Sequence, residues 1–314
     1  MLSKAPTFPQ CPTRMASLTA ADRPKMTYDP FQRFRWQLAH GRALELGPRG
    51  VLMAIINVTP DSFSDGGRFA DATAAVAAAT RALADGAAIL DIGGESTRPD
   101  ADPVDAAEEQ ARILPVIERL ARETDAIISV DTYRAETARL AVEAGAHIVN
   151  DVHGLQREPA IAEVAAETGA GLCIMHTGRD RQKLGDVVED QFHFLGRSLQ
   201  IAAEAGVGRD RIVLDPGYGF AKDADENLEL MARFAELHRF GQPFLVGTSR
   251  KRFLGAVTGR EAQDRDAATA ATTALLRAAG AAVFRVHDVA INRDALAMAD
   301  AMLIAKNSRR DMKP

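Results

Sequence analysis

From residue 51 onward the chain repeats one rhythm, a short apolar run followed by a longer stretch with helical spacing. The apolar runs cover residues 51–56, 88–90, 127–130, 147–149, 172–175, 212–214, 244–246 and 281–284. They carry no polar alternation, which predicts strands of a parallel sheet buried on both faces. The stretches between them, 72–85, 105–122, 134–144, 158–168, 188–205, 225–239, 263–279 and 289–305, read as helices. In the second, Ile113, Ile117 and Leu120/Ala121 recur at i, i+4 and i+7/8, and Pro115 is expected to bend it. Asp71 is the expected N-cap of the first helix. Gly86, Gly145, Gly169, Gly206 and Gly280 follow helical runs, where C-terminal caps belong. Eight strand–helix pairs in strict alternation predict a (β/α)8 TIM barrel over residues 51–306. The competing architecture, an open doubly wound sheet, usually shows a Gly-rich turn after its first strand. Here that strand runs into Asn57-Val58-Thr59-Pro60-Asp61, and Gly217-x-Gly219 lacks the third glycine of a dinucleotide fingerprint.

Outside the barrel, residues 32–46 alternate polar and apolar around His40-Gly41-Arg42. This predicts a hairpin within an N-terminal plug, residues 28–50, that packs Trp36. Residues 1–27 hold four prolines without periodicity and are expected to form a flexible tail, as are residues 307–314. A composition of 46% hydrophobic and 26% charged residues is globular. The net charge of −5 argues against nucleic acid as a partner. No apolar run is long enough to span a membrane and no secretory core opens the chain, so a cytoplasmic location is expected. Cys11 and Cys173 are too few for a disulfide framework, and Cys173 reads as a core thiol. The seven histidines show no metal-ligand spacing.

The chemistry gathers at the strand ends, which converge on one mouth in a barrel. In order they give Asn57, Asp91, Asp131, Asn150, Met175-His176, Asp215, Ser249-Arg250-Lys251 and Arg285-Val286-His287. An Asp or Asn at any one position can simply cap a helix; a full ring is harder to attribute to turns. Acidic and amide groups come from strands 2, 3, 4 and 6, and cationic ones from strands 7 and 8, where barrels commonly hold phosphate. One side should bind an anion, the other a group rich in N–H donors. A flat amino-substituted heterocycle bearing phosphate meets both demands. Two polar, glycine-bearing segments, 59–67 and 93–99, follow the first two strands and read as mobile loops.

These segments carry a specific resemblance. Asn-Val-Thr-Pro-Asp-Ser-Phe-Ser-Asp-Gly-Gly at 57–67 and Asp-Ile-Gly-Gly-Glu-Ser-Thr-Arg-Pro at 91–99 resemble the two signature loops of the dihydropteroate synthases. Ser129-Val130-Asp131-Thr132, Asn150-Asp151-Val152, Asp215-Pro216-Gly217-Tyr218-Gly219-Phe220, Ser249-Arg250-Lys251 and Arg285-Val286-His287-Asp288 follow in family order. The resemblance implies a transferase of folate biosynthesis on a pterin-binding barrel. Such an enzyme joins hydroxymethyl-dihydropterin diphosphate to para-aminobenzoate, releasing diphosphate, with Mg²⁺ as cofactor, and is a sulfonamide target. By resemblance, Asp91, Asp131, Asn150, Met175, Asp215 and Lys251 hold the pterin. Asn57, Arg285 and His287 hold the diphosphate, with the metal at Asn57. Thr97, Arg98, Pro99, Arg250 and Lys251 form the aminobenzoate site, and Asp61, Asp131 and Lys251 are the catalytic groups. A homodimer through exterior helices is implied as well.

Rival readings are a pterin-dependent methyltransferase barrel and a catalytically silent pterin-binding paralogue. The anion side argues against the first, and Asn57, Asp61, Thr97 and Arg98 against the second. The chain departs from the family after Met175-His176, where Thr177-Gly178-Arg179-Asp180-Arg181 replaces a Met-Gln-Gly-x-Pro continuation. It also has Ala221 where glycine is frequent and Arg252 where many members carry serine. Lys222 reads equally as a surface charge or a substrate contact, and His176 as a local hydrogen-bonding group more often than a functional one.

Overall fold

An antiparallel hairpin, β1 (Phe34–Gln37) and β2 (Ala43–Leu46), precedes the barrel in the computed structural model, which describes residues 28–59, 67–95 and 104–311. Eight parallel strands follow: β3 (Val51–Asn57), β4 (Ile89–Gly93), β5 (Ile127–Asp131), β6 (Ile148–Asp151), β7 (Gly171–Met175), β8 (Ile212–Asp215), β9 (Leu245–Val246) and β10 (Val283–Val286). Their order is β8-β7-β6-β5-β4-β3-β10-β9, and a parallel bridge from Leu214 to Phe244 brings the two ends together. The fold is a (β/α)8 barrel. Around it run α1 (Gly67–Asp85), α2 (Ala106–Glu123), α3 (Ala135–Glu143), α4 (Ala160–Thr168), α5 (Val187–Glu204), α6 (Ala224–Ala232), α7 (Arg252–Thr258), α8 (Asp266–Ala278) and α9 (Val289–Asp311).

The strands read as continuous apolar runs because both faces are buried, but the two faces do different work. Outward residues such as Leu52, Leu90, Ile128 and Leu172 pack on the helices. Inward residues at the start of the strands, among them Met53, Ile89, Ile127 and Cys173, form a separate apolar layer with Trp36, Leu38 and Leu46 of the hairpin. The hairpin thus stoppers the N-terminal end of the barrel. Trp36 is fully buried there, and its indole N–H donates to the Arg211 carbonyl at 2.8 Å. Two residues further along the same inward face, that parity reaches Asp91, Asn150, Asp215 and Arg285. The apolar floor and the polar ring are consecutive layers of one side-chain column.

Several boundaries differ from the sequence pattern. Helix α1 begins at Gly67, so Asp71 lies inside it and is not its N-cap. Asp105 does cap α2, accepting from the Glu108 N–H, and α2 runs on past Pro115 to Glu123. The helical run at 225–239 divides at Arg233, which leaves helical geometry, into α6 and a 3₁₀ segment, Phe234–Phe240. The short helix α7 follows directly on the strand-end residues Ser249-Arg250-Lys251, in a segment where the pattern predicted no helix. The last helix continues to Asp311, past the expected boundary at 306. The tail at 1–27 and residues 312–314 lie outside the described residues.

Candidate active site

The strand ends open into one cleft of ≈ 1830 Å³, lined among others by Asn57, Asp131, Asn150, Met175, Asp215, Phe220, Lys251, Arg285 and His287. Its floor is an ion-paired ring. Arg285 Nε donates to Asp91 Oδ2 at 2.6 Å and its Nη2 to Asp131 Oδ2 at 2.7 Å. Asn150 Nδ2 donates to the same Asp91 oxygen at 3.1 Å. Asp91 is fully buried, and its Oδ1 has no hydrogen-bond partner among the described residues. In strand order β3 separates β4 from β10, so the guanidinium of Arg285 reaches across β3 to the acidic strands. This corrects the expected division into an acidic and a cationic half: the principal cation of the anion side sits between two carboxylates of the other.

Burial sets the protonation of this ring. It pushes the Asp131 carboxyl up to about 7 against the opposing pull of Arg285, with Asp91, Glu109 and Asp151 adding to the rise. Asp215 is likewise raised by burial to about 6, although the Gly217 N–H, Lys251, Arg285 and Lys222 favour its anion. Its Oδ1 accepts from the Gly217 N–H at 2.7 Å. Lys251 is lowered to about 8 by burial and by Arg285, with Asp215 resisting. His287 is held down at about 3 by burial and by Arg285, Arg250 and Lys251. It is therefore a neutral imidazole near pH 7, which corrects its expected role as a cation. The Ser249 hydroxyl accepts from the His287 backbone N–H at 3.2 Å and lies 2.9 Å from its Nδ1. With the serine donating to Nδ1, Nε2 carries the proton and is the donor available to an anion.

Lys251 and Arg250 part company at the cleft wall. The Lys251 ammonium stands 4.1 Å from the centroid of the Phe220 ring, a cation–π distance. Arg250, at φ +57°, turns its guanidinium to Asp266 on α8 through two bonds of 2.8 Å. Gly219 lets the lysine stem pass: a Cβ there would lie 2.9 Å from Lys251 Cδ, and its φ of +77° suits glycine. Ala221, at φ +50°, explains the frequency of glycine at that position; here an alanine carries the left-handed backbone.

Asn57 is exposed at the end of β3. A Cβ at Gly93 would lie 3.9 Å from its Oδ1 and 3.5 Å from Asp131 Cβ, so the missing side chain leaves a notch between them. Among the described residues no group of three or more His, Cys, Asp or Glu could hold a metal by itself. One hard amide oxygen beside an open notch fits Mg²⁺, which keeps several waters and takes substrate phosphates as ligands.

Sequence reasoning missed three features. Arg179, from the divergent loop after β7, places its guanidinium 4.7 Å from the Phe220 centroid and joins the cleft wall. Glu95, where the second loop leaves β4, accepts from Tyr133 Oη at 3.0 Å and from Arg134 Nη1 at 2.8 Å, and Arg134 also binds Glu109. Lys222 is buried and donates to His176 Nδ1. For none of these did position within a strand end give a signal. Asp61, Thr97, Arg98 and Pro99 lie outside the described residues.

Residues 53–287 match the profile of the pterin binding enzymes. The chain is 44% identical over 261 residues to a dihydropteroate synthase of Bacillus subtilis, covering 83% of this chain and 91% of that protein. Among solved structures it resembles a dihydropteroate synthase of Xanthomonas albilineans with 4-aminobenzoic acid, at 42% identity and a TM-score of 0.81 over 86% of this chain and 98% of that one. It also resembles one from Clostridium difficile in the presence of pteroic acid, at 43% identity and a TM-score of 0.80, over 82% and 98% of the two chains. Among the described residues no helix is long and apolar enough to cross a membrane.

Proposed function

The chain belongs to the pterin binding enzymes, among the dihydropteroate synthases, and from that premise we propose how its own residues carry the reaction. The reaction joins hydroxymethyl-dihydropterin diphosphate to para-aminobenzoate. The bond from the exocyclic carbon to the diphosphate oxygen breaks, the bond from that carbon to the arylamine nitrogen forms, and the amine proton leaves to solvent. The observation that carries this assignment is the single cleft in which Asp131, Asn150, Asp215, Lys251 and Arg285 meet.

The ring donors of the pterin face Asp215, Asn150 and Asp131, while Met175 and the Lys251 stem line its faces. Asp91, expected among these contacts, is wholly buried and acts through Arg285 and Asn150 instead. The remaining N–H groups of Arg285, the Nε2–H of His287 and the Asn57 amide take the diphosphate. Mg²⁺ held by Asn57 supplies neutralisation of the leaving group when bound. As diphosphate departs, positive charge develops on the pterin carbon, and Asp131 lies on that side of the cleft to stabilise it. Phe220, under Lys251 and Arg179, offers the wall for the aryl ring of the second substrate. No covalent enzyme intermediate is needed. The methyltransferase reading gives way, because it does not predict relatives that are dihydropteroate synthases over most of the chain. The silent-paralogue reading is separated from the enzyme by diphosphate release.

Purified protein given the pterin diphosphate, Mg²⁺ and para-aminobenzoate should release diphosphate in step with dihydropteroate, and a sulfonamide should compete with the aminobenzoate. Pterin binding without diphosphate release would overturn the assignment.

We further propose a cytoplasmic homodimer. Helices α8 and α9 pack on each other and leave Leu275, Met298 and Met302 exposed, Met298 by 73%, with the two methionines one turn apart on α9. An apolar strip of this kind marks a protein interface. Replacing Met298 and Met302 together by glutamate should shift sedimentation from dimer to monomer; a wild-type protein that already sediments as a monomer would refute the proposal.

A further inference from the structure

Behind the pterin wall lies a second polar system that the reaction scheme above does not use. His176, at the end of β7, is fully buried. Its Nε2 meets Asp190 Oδ2 at 2.9 Å, and its Nδ1 meets the Lys222 ammonium at 2.9 Å. An ammonium can only donate, so Nδ1 accepts from Lys222, and the proton on Nε2 is given to Asp190. Arg181 Nη2 also lies 2.9 Å from Nε2 and directs its own N–H to Asp190 Oδ2. Lys222 also donates to the Gly217 carbonyl at 2.9 Å. The N–H of that same residue donates to Asp215 Oδ1. Gly217 is thus gripped on both sides, by the pterin carboxylate at its N–H and at its carbonyl by the Lys222 amine, which burial lowers to about 7 against the pull of Asp215 and Asp190. Its backbone cannot readily relax: φ is +65°, and a Cβ there would fall 1.9 Å from the His176 carbonyl oxygen.

The far end of the chain of contacts is equally fixed. Asp190 on α5 accepts from Arg181 Nη1 at 2.9 Å and Nη2 at 2.6 Å, and from the Leu184 N–H at 2.9 Å. Burial opposes its ionisation, but the bonds from His176, Arg181 and Leu184 hold its carboxyl well below the usual range. Arg181 comes from the divergent loop after β7, and its Nε donates to the Thr177 carbonyl at 2.7 Å. An Asp–His–Lys relay therefore runs from α5 to the turn that carries Asp215 and Phe220.

A lysine only 9% exposed, with no carboxylate in hydrogen-bonding contact among the described residues, is an expensive way to fill space. We propose that Lys222 is a positioning residue for the pterin: held by His176 and Asp190, it fixes the Gly217 peptide and keeps Asp215 oriented and ionised for the ring donors. This rests on the pterin assignment above. The groups facing Asp215 are Lys222, the Gly217 N–H and Tyr218 from its own loop, Lys251 from the loop after β9, Arg285 from β10 and Cys173 from β7. Those facing Lys222 are Asp215, Asp190, His176, Lys183 and Arg181. Lys222 stabilises the Asp215 anion, so removing it moves the carboxyl upward, further into the neutral range.

The test is calorimetric titration with 6-hydroxymethylpterin from pH 5 to 8, on Lys222→Met and Asp190→Asn. Lys222→Met should weaken binding at least tenfold near neutrality, on the order expected for one lost charge-assisted contact. The acid limb of its affinity should move to higher pH. Asp190→Asn, which leaves Lys222 in place but removes the anion that orders His176, should move both quantities the same way by less. A Lys222→Met protein with the wild-type unfolding midpoint, affinity and acid limb would overturn the proposal. Should that variant fail to fold, wild-type affinity and pH profile in Asp190→Asn would do so. Failure of the wild-type protein itself to bind the pterin would instead strike the assignment on which the proposal rests.

Discussion

Replacing Arg285 by methionine should lower kcat/KM on the order of 10²–10³-fold, the scale set by losing one preorganised charge donor. It should also destabilise the fold by about 3–5 kcal/mol, the scale of breaking a buried ion pair. Asp91 and Asp131 both bond to this one guanidinium, and the Asp91 side chain is wholly buried. Without Arg285, Asp91 retains among the described residues only the Asn150 amide as a side-chain partner, and Asp131 loses the cation that opposes its burial. The stability loss should depend on pH with a definite sign. The Asp131 carboxyl, at about 7 in the fold, lies above its unfolded value of 3.8, so its contribution is fully present at low pH and is lost as pH rises through the folded value. Removing Arg285 raises the folded value further. The deficit in urea unfolding should therefore be larger at pH 8 than at pH 5. A deficit below about 1 kcal/mol, or one flat across this range, would mean that the ring is solvated rather than mutually compensated. Lysine should not rescue the variant, since a point charge cannot reproduce the forked contact to two carboxylates.

How much of this was readable from the chain follows from which forces local sequence records. The strands were legible because burial on both faces leaves unbroken apolar runs, and the polar ring because barrel topology brings strand ends to one mouth. Asn57, Asp131, Asn150, Asp215, Lys251, Arg285 and His287 all line that mouth. The pairings were not legible. Arg285 and Asp91 are 194 residues apart, and nothing local says that a side chain from β10 will cross β3. The neutrality of His287 is equally non-local, since it arises from burial together with cations on two different strand ends. Lys222 misled for the opposite reason: lysine is by default exposed, and only the packing of the β7–α5 loop against the β8–α6 loop buries it. Helix α7 was hidden because its first residues, Arg252 and Phe253, follow a charged motif that reads as site and not as helix start.

Lys251→Ala should separate function from stability. The Lys251 ammonium is drawn over Phe220 into a half-buried position where desolvation and Arg285 depress it to about 8. Its unfolded value is 10.5, so the favourable part of its linkage is present only above that value and is lost as pH falls through the folded one. At pH 7 the charged amine is thus a burden on the fold. Alanine removes that burden along with the packing of the aliphatic stem, and the two effects oppose. The unfolding free energy should stay within about 1 kcal/mol of wild type, well short of the loss for a core truncation. Activity should not survive: with the cation between pterin and aminobenzoate gone, kcat/KM should fall on the order of 10²–10³-fold. The pH profile gives an independent reading. In the wild type, kcat/KM should decline above about 8 as Lys251 loses its proton, and the residual activity of the alanine variant should lack that limb. Near-wild-type rates, or an alkaline limb that persists in the variant, would move the catalytic cation elsewhere in the cleft. A collapse of stability would mean that the stem threaded past Gly219 matters more to the fold than the ammonium does to the reaction.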